Sequence, residues 1–426
     1  MRRVAAHTLG CKLNFAETSH LLRQLNEIGY MTVGFDEIAD LYIINTCTVT
    51  AIAEKKCRAA IRQAVRRNAN AQVAVIGCFA QREAESISQM EGVTIVLGND
   101  RKHLLPQLVA QHSEFEIQNS KFEIQNSTFP LAYSVGDRTR SFLKIQDGCD
   151  YYCTYCAIPF ARGHSRSATV SQVLDAAHDI EQHGIREVVL TGVNTGTFGL
   201  HNGETLLQLL QALDNETGIA RFRISSIEPN LITDDIIRFV SQSRAFLPHF
   251  HIPLQAGSDK ILRLMHRRYD TALFLEKIQL IRNLMPHACI AADIMAGFNG
   301  EDEETFAEVC RYVESLPLSY LHVFTYSDRP GTAALKLVEK IDMARRREHS
   351  EVLRQISDSK RHAFCQSHIG SQRPVLWEST RYDGNLMQGW TDNYIRLQRP
   401  YSPDAANSIS VATLSNDNIV WGETDD

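Results

Sequence analysis

The chain lacks an apolar run long enough to cross a bilayer. Its longest stretches, such as residues 289–297, fall well short of the roughly 18–20 residues that a spanning helix needs. It also lacks an excess of basic residues, because 44 Lys and Arg against 50 Asp and Glu give a net charge of −6. This balance excludes a protein that binds nucleic acid through its overall charge. Proline and glycine are sparse, at 12 and 23 of 426 residues, which excludes collagen-like and low-complexity chains.

The composition is that of a folded globular protein, with 44% apolar and 22% charged residues. The length is sufficient for roughly two to four domains. The apolar run that follows Arg2 and Arg3 ends after three residues, at His7, so no export signal is indicated. We therefore expect a cytoplasmic protein without a membrane partner. Ten cysteines in such a chain indicate metal binding or catalysis and not a disulfide framework.

Four regions of regular pattern can be separated along the chain. Residues 1–112 alternate β-like runs with helical segments, which predicts a parallel α/β domain. Residues 136–338 repeat a strand and a helix about six times, which predicts an open or closed barrel of parallel strands. Residues 339–369 form one long helical pattern, and 370–426 contain short β-like runs typical of a small all-β barrel. The sequence thus predicts an α/β multidomain protein.

A duplicated segment separates the first two regions. The heptapeptide EFEIQNS at 114–120 is followed at once by KFEIQNS at 121–127, a copy with one change. Two copies are too few for a heptad coiled coil. We interpret residues 113–135 as a linker without a chemical role.

The strongest chemical pattern is DGCDYYCTYC at residues 147–156. It places Cys149, Cys153 and Cys156, here named the loop cysteines, directly after the first predicted barrel strand. Three thiolates on one short loop suit a four-iron, four-sulfur cluster with one iron left without a protein ligand. Structural zinc is the alternative, but zinc favours four ligands and paired Cys-x2-Cys units. The segment offers no fourth cysteine and no nearby histidine pair.

Three further cysteines each follow an apolar run of the first region. Cys11, Cys47 and Cys78, here named the edge cysteines, are expected together at the carboxyl edge of the parallel sheet, where ligands gather. Taken singly, each is more typical of a buried structural thiol. The other cysteines complete no ligand spacing and are interpreted as packing residues: Cys57, Cys289, Cys310 and Cys365.

The cysteine loop at the end of the first barrel strand resembles that of the radical S-adenosylmethionine (SAM) enzymes. Eight further motifs, in family order, look like the methylthiotransferase family over nearly the whole chain. They are TLGCKLN, INTCTVT, GCFAQ, LTGVNTG, RISSIEP, HIPLQAGSDKILRLMHRRY, DIMAGFNGEDEETF and HVFTYSDRPGTAA. Among its branches, TLGCKLN and INTCTVT with AEKKCR look most like the one that modifies N6-threonylcarbamoyladenosine beside the anticodon of transfer RNA.

This resemblance implies a radical SAM (β/α) partial TIM-like barrel, preceded by a methylthiotransferase domain and followed by an RNA-binding-like β-barrel. It implies SAM and two 4Fe-4S clusters as cofactors, the second cluster held by the edge cysteines. An electron donor such as flavodoxin or ferredoxin is implied for the cleavage of SAM to a radical. The implied product carries a methylthio group on carbon two of the modified adenosine.

Seven residues are candidates for contact with SAM. Tyr155 stands where the superfamily has an aromatic residue near the adenine, with a packed loop aromatic as the alternative. The other six end predicted barrel strands, where barrel sites are built, with turn and capping roles as the alternative. They are Thr191, Gly192, Asn194, Ser226, Glu228 and Gln255. Asn299 stands where the family commonly has proline, which is expected to loosen a turn.

Charge gives little support for RNA binding by the last region. Residues 370–426 carry four basic against eight acidic groups, a poor balance for contact with a phosphate backbone. We expect the basic surface elsewhere, at Arg66 and Arg67, at Arg267 and Arg268, and at 345–347. The aromatic residues of the last region are expected to form its core more than to stack on bases: Trp377, Tyr382, Trp390 and Tyr394. Transfer RNA is the expected substrate, and no DNA partner is expected.

Two other functions remain open at this point. A methylthiotransferase that acts on another tRNA adenosine, or on an aspartate of a ribosomal protein, shares nearly all of these motifs. A non-catalytic iron-sulfur redox sensor that binds RNA belongs to a different class and has no need of the cofactor-side barrel motifs. Reductive cleavage of SAM distinguishes the enzymes from the sensor.

Overall fold

The computed structural model describes residues 1–48, 51–111, 129–337 and 339–422. The duplicated heptapeptide lies outside these residues. Within them, no helix combines the length and the apolar character that a membrane span requires.

The amino-terminal region is a five-stranded parallel sheet in the order β2-β1-β3-β4-β5. Its strands are β1 (Arg2–Thr8), β2 (Tyr30–Val33), β3 (Leu41–Thr46), β4 (Gln72–Gly77) and β5 (Ile95–Leu97). Its helices are α1 (Lys12–Glu27), α2 (Ala51–Arg67), α3 (Cys78–Arg82), α4 (Ala84–Ser88) and α5 (Leu105–Gln111). Pairing of Thr8 with Asn45, and of Thr46 with Gly77, brings the carboxyl ends of β1, β3 and β4 level.

The middle region is an open barrel of six parallel strands in two halves. One half contains β7 (Arg140–Lys144), β10 (Glu187–Thr191) and β11 (Arg221–Ile224), and the other contains β12 (His249–His251), β13 (Cys289–Ala296) and β14 (Tyr320–Thr325). A parallel bridge between Phe222 and Phe246 joins the halves. The strand β6 (Ala132–Tyr133) adds antiparallel to β7, so this sheet includes residues from the segment interpreted as a linker. A short antiparallel pair, β8 (Gln146–Asp147) and β9 (Arg166–Ser167), flanks the cysteine loop.

Five barrel helices begin at side chains that cap their first turns. Thr169 and Thr205 form capping boxes with Gln172 and Gln208. The aliphatic faces of these helices pack on the outer faces of the strands in one continuous core. The helices are α6 (Ile158–Arg162), α7 (Val170–Gln182), α8 (Leu206–Glu216), α9 (Asp234–Gln242), α10 (Asp259–Leu264), α11 (Thr271–Leu284) and α12 (Glu303–Ser315).

The carboxyl-terminal region is a curled antiparallel sheet that follows the long helix α13 (Met343–Gln366). Its strands are β15 (Gln372–Trp377), β16 (Leu386–Thr391), β17 (Arg396–Pro400) and β18 (Ile409–Thr413), in the order β17-β16-β15-β18. An isolated bridge between Leu397 and Ile419 curls the sheet further. The multidomain α/β fold class expected from the sequence is therefore confirmed.

This last sheet packs against the amino-terminal end of the barrel strands. Trp390 and Tyr394, here named the basal aromatic pair, stack on each other with ring centroids 4.4 Å apart. Tyr394 also stacks on His249 of β12 at 4.2 Å, and the pair packs with Cys289 and Tyr320 at the starts of β13 and β14. Both aromatic side chains are buried, so they are core residues and not base-stacking surfaces.

Candidate active site

The loop cysteines lie between β8 and α6, where the backbone is held on several sides. Gly148 adopts φ +70°, and a side chain there would collide with the carbonyl oxygen of His164, so glycine is required. The amide of Cys149 donates to the Gly163 carbonyl at 3.1 Å. The Thr154 hydroxyl donates to the Leu264 carbonyl at 2.8 Å. The loop is thereby fixed to the barrel at both of its ends.

The surroundings of the loop cysteines fit a metal cluster better than nucleophilic thiols or zinc. Burial raises the pKa of Cys149 to about 11 and that of Cys156 to about 12, which keeps both thiols protonated until a metal displaces the proton. Four thiolates around zinc lie about 3.8 Å apart, given Zn–S bonds of about 2.3 Å. Among the described residues, no three cysteines have all their Sγ atoms within 4.8 Å of one another. In this arrangement the cysteines do not form a closed zinc site.

The structure places the edge cysteines at the carboxyl ends of β1, β3 and β4. Cys11 caps α1, Cys47 directly follows β3, and Cys78 begins α3 directly after β4. Gly10 adopts φ +103°, and a Cβ at this position would lie 2.8 Å from the Cβ of Cys47, so glycine lets these two segments approach. The three residues, distant in sequence, therefore share one edge of the sheet.

Cys57 lies on α2, next to the edge cysteines. Its buried Sγ contacts the carbonyl oxygen of Cys47 at 3.6 Å, and burial raises its pKa to about 11. This geometry suits a thiol that donates weakly to the backbone, as expected for a packing residue.

A buried charge network lies between the two cysteine sets. It consists of Glu17 of α1, Lys102, Lys144 and Asp147 of β7 and β8, and Arg162 of α6, and each of these residues is at most 5% exposed. Glu17 pairs with Lys102 and, at 2.8 Å, with Lys144. Asp147 pairs with Lys144 and with Arg162, each at 2.8 Å. Although burial opposes ionisation, Lys102 and Lys144 hold the pKa of Glu17 well below its usual value.

The network reaches the edge cysteines through two asparagines. The Arg162 guanidinium donates to the Oδ1 of Asn14 at 2.6 Å, and the Asn14 amide donates to the carbonyls of Leu9 and Thr46, just before Cys11 and Cys47. Lys102 donates to the Oδ1 of Asn99 at 2.7 Å, and the Asn99 amide contacts the Cys78 Sγ at 3.3 Å.

The charge balance of the network fits an anionic neighbour. Its three cations face only two carboxylates, all of them buried. A buried excess charge is costly unless it is paired, and a thiolate-ligated iron-sulfur cluster is an anion. The residues present therefore fit clusters at the loop and edge cysteines.

The strand-end candidates for SAM contact lie around the loop cysteines. They differ in whether other groups of the protein already occupy their hydrogen-bonding atoms. The Thr191 hydroxyl donates to the Leu143 carbonyl at 3.2 Å, which suits a structural role. A Cβ at Gly192 would lie 2.9 Å from the Gln146 Oε1. Ser226 uses its carbonyl to accept from the Thr195 hydroxyl at 2.8 Å. Gln255 adopts φ +63° and donates its amide to the Asp293 carbonyl at 2.8 Å.

Asn194 is the candidate with unused hydrogen-bonding capacity. It is 3% exposed, and neither polar atom of its side-chain amide has a partner among the described residues. Its backbone amide and that of Val193 both donate to the Gln146 Oε1 at 2.9 Å, which ties this turn to the cysteine loop. Because buried amides are normally paired, the Asn194 side chain fits a bound polar ligand. Sequence reasoning did not identify Gln146 as the residue that positions it.

Arg267 is the main residue of the site that sequence reasoning missed. Its position next to Arg268 predicted a basic surface, and for Arg267 this is wrong because its side chain is 3% exposed. It pairs with Glu228 and donates to the Cys153 Sγ at 3.1 Å and to the Tyr155 hydroxyl at 3.4 Å. Glu228 and Tyr155, two candidates for SAM contact, are thus joined to a loop cysteine by one guanidinium.

A second correction concerns Arg346 and Asn299. Arg346 was expected on a basic surface, but it is buried and donates to the Asn299 Oδ1 at 3.0 Å. The Asn299 amide donates in turn to the Ala334 carbonyl at 3.2 Å. Asn299 therefore fixes its turn through two hydrogen bonds, and the expected loosening is wrong.

Known proteins match this chain over nearly its whole length. The profile described as uncharacterized protein family UPF0004 matches residues 3–98, and that of the radical SAM superfamily matches residues 143–313. The threonylcarbamoyladenosine tRNA methylthiotransferase MtaB of Bacillus subtilis (strain 168) is 36% identical over 407 residues, which cover 93% of this chain and 90% of that protein. The protein of the same name from Aquifex aeolicus (strain VF5) is 35% identical over 93% of this chain and 96% of that protein. The one from Thermotoga maritima is 32% identical over 99% of this chain and 96% of that protein.

The chain belongs to the threonylcarbamoyladenosine tRNA methylthiotransferase family. This methylthiotransferase is a radical SAM enzyme, a transferase whose cofactors are SAM and 4Fe-4S clusters.

Solved structures share the fold of this methylthiotransferase at low sequence identity. The radical SAM methyltransferase TsrM from Kitasatospora setae, with cobalamin and a 4Fe-4S cluster bound, superposes with a TM-score of 0.55 at 15% identity, over 76% of this chain and 74% of that one. The cobalamin-dependent SAM radical enzyme OxsB superposes with a TM-score of 0.51 at 12% identity, over 86% of this chain and 56% of that one. Both likenesses concern the fold alone.

Proposed function

We propose that this enzyme attaches a methylthio group to carbon two of N6-threonylcarbamoyladenosine in transfer RNA. The observation that carries the proposal is the pair of three-cysteine sets on either side of one buried charge network. The names of the relatives support the same substrate. Radical chemistry and sulfur delivery need two separate cofactor sites, and these cysteine sets supply the ligands for two.

In this proposal the loop cysteines hold the cluster that binds SAM, and the edge cysteines hold the second cluster. When bound, these cofactors supply a carbon radical on one side and sulfur on the other, while the protein supplies binding, orientation and electrostatics. Arg267 fixes Tyr155 and Glu228 relative to Cys153. Gln146 fixes the turn that carries Asn194, whose side-chain amide would hold the polar part of SAM.

Residues of the chain also enclose the site. The basal aromatic pair covers the amino-terminal end of the barrel strands, which excludes water from that side. The helix α1 closes the opposite side through Glu17 and its ion pair with Lys144. The remaining candidates lie at the strand ends between these two covers; they are Thr191, Gly192, Ser226 and Gln255.

The proposed partners are transfer RNA and a small electron carrier such as flavodoxin or ferredoxin, and the proposed compartment is the cytoplasm. Exposed arginines for phosphate contact lie outside the acidic carboxyl-terminal sheet, at Arg66, Arg268, Arg345 and Arg347. Contacts from single lysines and arginines to phosphates carry much of the affinity for nucleic acid. These contacts are local, so the negative net charge of the whole chain does not prevent them.

The test is a reaction with chemically defined RNA. Anaerobically reconstituted enzyme is incubated with SAM, a reductant, a sulfide source and an anticodon stem-loop that contains N6-threonylcarbamoyladenosine, and nucleosides are analysed by mass spectrometry. The expected product is the 2-methylthio nucleoside. Cleavage of SAM without any methylthio product from this RNA, or a product on a ribosomal protein instead, would overturn the proposal.

A further inference from the structure

A cluster of polar side chains lines the interior face of the second half-barrel. His249 and His251 lie on β12, Asp293 lies on β13, and His322 lies on β14. Side chains alternate between the faces of a strand, and the neighbours of this cluster, such as Phe250 and Ile294, belong to the core packed against the outer helices. The four polar side chains therefore face inward, and the cofactor site described above uses none of them.

Three members of the cluster converge on one point. One ligand atom each from His251, Asp293 and His322 lies within 4.8 Å of the other two. The His251 Nε2 and the Asp293 Oδ1 are 2.7 Å apart, and the rings of His251 and His322 have centroids 4.9 Å apart. All three residues are half-buried.

His249 extends the cluster toward the basal aromatic pair. Both ring nitrogens of His249 are buried and have no hydrogen-bond partner among the described residues. A buried imidazole without partners costs free energy, so its position in a polar interior fits the binding of a ligand. Its stacking on Tyr394 at 4.2 Å fixes the plane of the ring.

Cationic side chains lie next to the basal aromatic pair, on which His249 stacks. The Arg223 guanidinium lies over the Tyr394 ring, 4.7 Å from its centroid. Below the cluster, Glu187 is paired with three arginines, of which Arg223 lies nearest at 2.8 Å. Glu378 also pairs with one of these arginines, so the three arginines face two carboxylates.

We propose that His249, His251, Asp293 and His322 bind the N6 substituent of the target adenosine, an amino acid joined through a carbamoyl group. This inference rests on the function proposed above. The substituent carries a carboxylate, which accepts hydrogen bonds from imidazole N–H groups, and ureido N–H groups, which donate hydrogen bonds to the Asp293 carboxylate. The cluster offers both kinds of partner at one place, whereas a purely anionic ligand would be repelled by Asp293.

A divalent metal ion is the alternative occupant, because two histidines and one carboxylate form a familiar ligand set. The hydrogen bond between His251 and Asp293 and the unpartnered ring nitrogens of His249 favour an organic group with donors and acceptors.

The experiment compares two anticodon stem-loops that differ only in the target nucleoside, N6-threonylcarbamoyladenosine or adenosine. Dissociation constants are measured for reconstituted enzyme with SAM. We expect the wild type to bind the modified RNA at least about tenfold more tightly, the effect of one or two hydrogen bonds to a charged group. His322→Phe and His249→Phe should each lose most of this preference while binding the adenosine RNA within about twofold of the wild type. His322→Gln, which keeps a donor, should retain part of it.

His178→Phe is the matched control, since His178 is a partly exposed residue on the outer helix α7, and it should keep the full preference. Iron content shows that each variant is folded. The inference is wrong if both phenylalanine variants keep the wild-type preference, or if the wild type holds one divalent metal beyond its cluster iron that His251→Ala loses. If the wild type prefers the modified RNA and yet forms no methylthio product from it, the proposed function fails while this inference stands.

Discussion

Removal of the Glu17 carboxylate tests whether the buried charge network holds the amino-terminal domain on the barrel. Glu17 pairs with Lys102, Lys144 and Arg162, and all of these side chains are at most 5% exposed. In Glu17→Gln the three cations face only Asp147. Loss of one partner from a buried ion pair leaves an uncompensated charge and costs about 3–5 kcal/mol, far more than the roughly 0–1 kcal/mol of an exposed pair.

Urea unfolding followed by far-ultraviolet circular dichroism measures this loss of unfolding free energy. Glu27→Gln is the matched control, because Glu27 is an exposed residue at the end of the same helix, and it should change stability by less than about 0.5 kcal/mol. Removal of both members of one pair, in Glu17→Leu with Lys102→Leu, restores the original charge balance and should recover most of the loss. If Glu17→Gln is no more destabilising than the control, the network is not what holds the domains together.

The pH dependence of stability gives an independent check. The pKa values of Glu17 and Asp147 are held below their usual values by the surrounding cations, in spite of burial. Their contribution is therefore complete above the unfolded-state pKa of about 4 and is lost as the pH falls further. The free energy of unfolding of the wild type should therefore fall more between about pH 5 and about pH 3 than that of Glu17→Gln. Equal acid sensitivity in the two proteins would contradict the assignment.

Three further outcomes are expected. Reconstituted enzyme should contain about eight irons, and replacement of the loop cysteines by alanine should leave about four; a folded variant that keeps all its iron would exclude two clusters. Replacement of the edge cysteines should abolish methylthiolation of the RNA but not SAM cleavage. Cys57→Ser should keep the full iron content, measured as for the cysteine variants above. Arg345→Ala with Arg347→Ala should lower the salt slope of tRNA binding by up to about two units, roughly one for each phosphate that the variant no longer neutralises; an unchanged slope would place the phosphate-binding residues elsewhere.

The sequence predicts those parts of the site that depend on local spacing or on sheet rules. The loop cysteines lie within eight residues of one another, so their proximity follows from the chain itself. The edge cysteines are far apart in sequence, but each follows a strand, and parallel strands end at a common edge. The fold class and the family follow from the same motifs and are confirmed.

Features that depend on distant partners were missed. Arg267 and Arg268 are neighbours of identical type, yet only Arg267 is buried, because Glu228 and Cys153 approach it from other loops. Arg346 is buried for the same reason, through Asn299. The convergence of His251, Asp293 and His322 requires the register of three strands, which no local pattern specifies.

The basal aromatic pair has a consequence for protein engineering. Trp390 and Tyr394 belong to the carboxyl-terminal sheet, yet they pack on the starts of β12, β13 and β14, and Arg223 donates to the carbonyls of Thr391 and Asp392. A chimera that exchanges this sheet between relatives would therefore also replace the residues that pack on the amino-terminal end of the barrel strands. Transplants intended to change RNA preference should carry the complementary barrel residues along with the sheet, or the recipient will lose the enclosure that radical chemistry requires.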